Sequence, residues 1–70
     1  MPRYFFHVKR GQMTVLDQQG IELADIEEAT KEAARRGREI LANQASEGVR
    51  DSGGIIIIDE GWRTVLELLF

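Results

Sequence analysis

The period of hydrophobic and polar positions along this 70-residue chain runs from two to about 3.6 and back to two. From Arg3 to Lys9 most positions are aromatic or β-branched, with Tyr4, Phe6 and Val8 on one side of an extended strand and Phe5, His7 and Lys9 on the other. Gly11-Gln12 follows as a tight turn, and Met13 to Leu16 forms the returning strand. Asp17-Gln18-Gln19-Gly20 signals a second turn, after which Ile21-Glu22-Leu23 alternates briefly as a bent continuation of strand two.

A helix begins at Asp25, an N-cap residue with Glu28 placed to complete a capping box. Ile26, Ala29, Thr30, Ala33, Gly37, Ile40, Leu41 and Gln44 recur at helical steps and form the stripe that meets a sheet. The stripe is small-sided up to Ile40, so the bulky partners must come from the strands. Gly37 within it costs roughly 1 kcal/mol against alanine and implies close helix-to-sheet contact. The helix ends near Glu47, with Gly48 suited to the left-handed position beyond it and Val49 to Gly53 expected to be the most mobile internal segment.

Ile55-Ile56-Ile57-Ile58 does not alternate, which reads as a strand covered on both faces. Asp59-Glu60-Gly61 turns the chain, and Trp62 to Phe70 returns. Alternation puts Trp62, Thr64, Leu66, Leu68 and Phe70 toward the helix, and Arg63, Val65, Glu67 and Leu69 on the outer face. The expected fold is α+β: one domain over residues 1–70, a single-layer antiparallel sheet of about four strands in the order ββ-α-ββ, and one long helix on one face. The hairpins make neighbours of strands one and two and of strands three and four, and the helix crossover leaves open which strands meet between them; the expected centre is strand one beside strand four or three, with short strand two at an edge.

One helix covers one face, yet the strands carry apolar residues on both. Phe5, Val65, Leu69 and two of the four consecutive isoleucines fall on the face the helix cannot reach, and such a surface marks an interaction site. Phe5, His7, Val65 and Leu69 are therefore the expected partner-binding residues.

Composition fits this picture. With 43% hydrophobic residues, 30% charged residues and one proline the chain is built to fold, and its length allows a single small core. The absence of cysteine excludes disulfides and thiolate metal sites. The opening residues lack the apolar run and cleavage site of a signal peptide, and no stretch is long enough to span a bilayer, so a cytoplasmic location and no membrane partner are expected. A net charge of −3 disfavours binding to nucleic acid.

Candidate chemistry is sparse. His7 is the only histidine, and no motif supplies it with a nucleophile or a carboxylate partner. The acidic turns at Asp17, Glu22 with Asp25, and Asp59-Glu60 lack the ligand spacing of a calcium loop. Gly53-Gly54 precedes a strand rather than a helix, so it reads as a flexible loop and not a phosphate cradle. On the helix exterior Lys31, Arg35 and Arg38 run beside Glu28, Glu32 and Glu39, with Glu27–Lys31, Glu32–Arg36 and Arg35–Glu39 at ion-pair spacing. No enzyme, metal or cofactor is expected.

The opening Met1-Pro2-Arg3-Tyr4-Phe5-Phe6-His7-Val8, the run from Asp17 to Asp25 with Glu28-Ala29 and Glu32-Ala33, Asp59-Glu60-Gly61 and the final Phe70 resemble a family of short alphaproteobacterial proteins, common in rhizobia and their relatives. That family is a domain of unknown function, so the resemblance implies membership and no reaction. Asp25-Ile26-Glu27-Glu28-Ala29 after a small sheet is also similar, more distantly, to antitoxins of the HicB type. The expected function is a non-enzymatic interaction module, forming a homodimer or docking on another protein through its outer sheet face. The antitoxin likeness implies instead a regulatory module that binds a cognate protein or nucleic acid.

Overall fold

The structure is a computed structural model that describes residues 1–47 and 53–70. Its elements are β1 (Arg3–Arg10), β2 (Met13–Val15), β3 (Ile21–Glu22), α1 (Ile26–Glu47), β4 (Gly53–Ile58) and β5 (Thr64–Leu69). The strands form one antiparallel sheet in the order β2-β1-β4-β5, with β3 on the same edge of β1 as β2. The α+β architecture and the single helix on one face follow the sequence pattern, and the centre of the sheet is the first strand beside the isoleucine strand. The third short strand, β3, continues the β2 edge after a break at Asp17.

Register sorts the side chains. Phe6 faces Ile57 and Val8 faces Ile55 across β1 and β4, while Ile57 faces Leu66 and Ile55 faces Leu68 across β4 and β5. This set, with Tyr4, meets Ala29 and Ala33 of α1 to form the core, and Phe6, Ile55 and Ile57 are its largest fully buried side chains. The small helix residues let the backbone approach the sheet, and the bulk comes from the strands as expected. Arg36 lies with its guanidinium 4.5 Å from the centre of the Phe6 ring and closes the core at its margin. Ile26 and Leu41, placed in the stripe by period alone, are exposed.

The helix starts as its cap dictates: the Glu28 amide donates to Asp25 Oδ1 at 3.0 Å. The reciprocal half of the capping box is missing, because the Glu28 carboxylate turns to Lys31. Gly48 and residues 49–52 lie outside the described residues, so the helix stop and most of the segment expected to be mobile do too.

Gly53 and Gly54 are not a loop. They open β4 and pair with Arg10 and Lys9. A Cβ at Gly53 would sit 2.2 Å from the Lys9 carbonyl oxygen, and one at Gly54 would sit 2.6 Å from the Leu68 carbonyl oxygen. Glycine is there for close approach of neighbouring strands, which a composition-based reading cannot distinguish from flexibility.

The return strand also differs from expectation. It begins at Thr64, two residues late, because Trp62 takes a left-handed conformation with φ +62°. The register then slips between Ile57–Leu66 and Ile58–Thr64, passing over Val65 as a bulge. Both features rotate Trp62 off the helix side of the sheet.

Gly37 is buried in the helix, where a Cβ would meet Phe70 at 3.7 Å and Ile55 at 3.9 Å, which is ordinary contact distance. Close approach therefore does not demand glycine there. Gly37→Ala is expected to raise stability by about 0.5–1 kcal/mol, read as a higher urea midpoint at unchanged slope; a lower midpoint would mean that close approach of helix and sheet does demand glycine there.

Candidate interaction surface

The outer face of the sheet is built from Phe5 and His7 of β1, Ile56 and Ile58 of β4, and Glu67 and Leu69 of β5. It is less open than the sequence pattern implies. Phe5 is only 8% exposed, because the Trp62 ring stacks on it with centroids 5.1 Å apart and planes 20° from parallel.

The turn that delivers Trp62 is organised by Asp59. Its Oδ1 accepts the amides of Gly61 at 2.9 Å and Arg63 at 3.0 Å, while its own amide donates to the Arg63 carbonyl at 3.0 Å. The Trp62 amide donates to the Asp59 carbonyl, also at 3.0 Å. The Arg63 amide first, then that of Gly61 and the Arg63 charge, hold the Asp59 carboxyl below its ordinary range. A bulky residue at positive φ is uncommon and needs such support. The stack on Phe5 adds an aromatic contact that holds the ring in place.

His7 lies half-buried beside this patch. Its Nδ1 accepts the Asp17 backbone amide at 3.0 Å, so one ring nitrogen is committed to the fold. Asp17 in turn stands where the β2–β3 edge breaks: its carboxylate accepts the amides of Phe6 at 3.1 Å, Gln19 at 3.1 Å and Gly20 at 3.0 Å. Burial alone would raise its pKa, but the three amides and the Arg36 charge outweigh that and hold it below the usual carboxylate range. Gly20 turns at φ +70° directly against β1, where a Cβ would lie 2.8 Å from Arg3 Cγ. Arg3 ties the loop from the other side, donating to the Gln19 carbonyl at 2.7 Å and Glu22 at 3.2 Å, while its amide bonds Glu60.

The four residues expected to meet a partner therefore divide. Phe5 and His7 lie under or against parts of their own chain, whereas Val65 is 39% exposed and Leu69 77% exposed at the β5 side of the sheet. Trp62, 69% exposed, joins them through its stack on Phe5, whose cross-strand neighbour Ile58 faces the bulge at Val65. Trp62 is the residue that alternation missed. The available signal was Asp59-Glu60-Gly61, a turn with an Asx residue at its start, but nothing local in the sequence marks the residue after it for positive φ.

A second feature adjoins this rim on the helix side. A groove of about 250 Å³ runs between α1 and β5, lined chiefly by Ala34, Gly37, Leu41, Leu68 and Phe70, with Arg38 at its border. The basic helix residues elsewhere are mostly neutralised: Lys31 pairs with Glu28 at 3.3 Å, Arg35 with Glu32 at 2.7 Å and Glu39 at 3.0 Å, and Arg36 with Glu32 at 3.5 Å. Lys31 prefers Glu28 to the expected Glu27. Among the described residues no three His, Asp or Glu side chains are grouped to hold a metal ion, and no helix is long and apolar enough to cross a membrane.

Comparison with known families places the chain. Residues 3–70 match the family described as a domain of unknown function, DUF6894, and the chain belongs to that family. No curated protein and no solved structure matches it.

The Asp17 bridge yields a direct test. Asp17→Ala leaves the Phe6 amide without its acceptor and is expected to cost roughly 1–3 kcal/mol at neutral pH. Because the folded carboxyl has the lower pKa, its contribution is full above the unfolded value and is lost as pH falls through the folded one. Urea titrations should show the gap between wild type and variant shrinking below about pH 4; a gap constant with pH would remove Asp17 from this role.

Proposed function

We propose that this DUF6894 member is a non-enzymatic interaction module that engages a protein surface through the β5 side of its sheet, centred on Trp62, Val65 and Leu69. The observation that carries this reading is the exposure of a large aromatic ring and two aliphatic side chains along the β5 side of the sheet, the ring held out by a specific turn. An exposed tryptophan costs a small protein in solubility, and collapse against the core would have been the cheaper fate. Here Asp59 and a left-handed backbone keep it on the surface.

The same geometry argues against catalysis. His7 Nδ1 receives a backbone amide, and Asp17 spends its carboxylate on three others, so the two groups nearest to an acid–base pair work for the fold. Phe5 and His7 support the surface from beneath, and Val65, Leu69 and Trp62 make the contact. Tryptophan and apolar neighbours of this kind dominate the energetics of protein interfaces.

Site-specific photo-crosslinking in the producing cell tests the reading. A crosslinker replacing Leu69 or Val65 should give discrete protein adducts that one replacing the solvent-facing Lys31 does not. Equal yields from both positions would defeat the proposal.

A further inference from the structure

The hydrogen-bonding parity of β5 identifies what its edge presents. Gly53 and Phe70 exchange both backbone bonds, the Gly53 amide to the Phe70 carbonyl at 3.0 Å and the Phe70 amide to the Gly53 carbonyl at 2.9 Å. In an antiparallel ladder such bonded pairs alternate, so Phe70, Leu68 and Leu66 point their amides and carbonyls inward to β4. Glu67 and Leu69 point theirs outward, where no strand lies among the described residues.

This edge is only lightly guarded. The opposite side of the sheet ends in β2, three residues long, and the rest of that edge of β1 is closed by Asp17 and β3. β5 has six residues, no proline or lysine, and one charge, Glu67. Its bulge lies at Val65, which leaves the stretch from Leu66 onward flat. An apolar edge with so little protection is a template for pairing with another strand.

We infer that β5 pairs antiparallel with β5 of a second copy of this chain, joining two sheets into one; the inference rests on the interaction reading above and names its partner. A two-fold axis perpendicular to the sheet keeps both helices on the same face. α1 contacts β4 and β5, leaning toward the free edge. With strands about 4.8 Å apart, a helix between β4 and the β4–β5 gap lies about 5–7 Å from an axis midway between the paired strands, so the two helices lie about 10–14 Å apart. The near end of that range meets the separation of packed helices, about 8–10 Å.

The groove is the vacancy this arrangement fills. A foreign strand alone would satisfy the edge and leave the Ala34, Gly37 and Leu41 flank open above it. A copy of this chain brings a helix beside its strand and covers both, with Arg38 extending its charge to water past the apolar contact. Charge selects the register: centring on Glu67 would oppose two carboxylates, whereas centring on Leu68 sets Glu67 beside the partner's Leu69 and Leu66 beside the partner's Phe70.

Light scattering of the full chain from low to high micromolar concentration tests this, together with three variants whose folding is followed by circular dichroism. Wild type should reach twice the 7.9 kDa chain mass. Glu67→Pro removes an outward amide and leaves the β4 ladder whole, so it should be monomeric where wild type is dimeric; Leu69→Lys, at an exposed site, should do the same if the proline variant unfolds. Lys31→Ser, on the solvent-facing side of α1, should stay dimeric. A wild-type monomer throughout overturns the pairing but leaves the crosslinking result above to decide the broader reading. A dimer that survives both edge variants overturns it too, and moves self-association away from the β5 edge.

Discussion

The structure depends on the close contact between the alanine stripe of α1 and the bulky residues of β1 and β4. Ala29 and Ala33 are fully buried against Phe6, Ile55 and Ile57. A domain of this size has no second core to fall back on, and it holds no disulfide. The pairing of small helix residues with large strand residues therefore sets where the helix lies, and the helix position determines which sheet surfaces remain open. A single helix of this width cannot span four strands, and it settles over β4 and β5 rather than over β2. Met13, Val15 and Leu16 at one border and Leu41 and Leu69 at the other are exposed as a consequence.

The remaining surfaces are managed by polar side chains that act as backbone. Asp17 replaces a missing strand pair with three amide contacts, and Asp59 shapes the turn that carries Trp62. Each is a carboxylate held ionised by the amides it accepts, which is the strongest kind of neutral-to-charged hydrogen bond available to a short loop. The two turns meet across β1, since Arg3 bonds residues from both. The outer face near Phe5 is thus tied into the fold, and openness is displaced to β5.

How much of this was legible varies with the physics involved. Period-two alternation kept Tyr4, Phe6 and Val8 together on one face because strand geometry leaves no other option, and their apolar character against His7 and Lys9 put that face under the helix; Asp25 marked the helix start because capping is local. Trp62 was misplaced because alternation was extended through a turn whose handedness depends on hydrogen bonds from a residue three positions earlier. Phe5 was taken as uncovered for the same reason, since its cover comes from Trp62. Gly53 and Gly54 look identical in sequence whether they loosen a loop or permit close strands, and only the neighbouring carbonyls decide. The groove beside β5 had a signal, Ala34 and Gly37 on one helix flank, but its meaning required knowing which strand lay at the edge.

Edge and groove are best understood together. Had the helix lain over β1, β5 would carry an exposed strand with nothing above it, a surface that any extended segment could extend. Because α1 leans outward, the edge is roofed by an apolar flank at the height and distance where a second helix fits. A partner must therefore satisfy a row of amides and a helical contact at once, which is a far narrower demand than hydrophobicity alone. The short helix residues that made the core possible also make that flank shallow enough to be filled, so the device that stabilises the domain is the one that shapes what can join it.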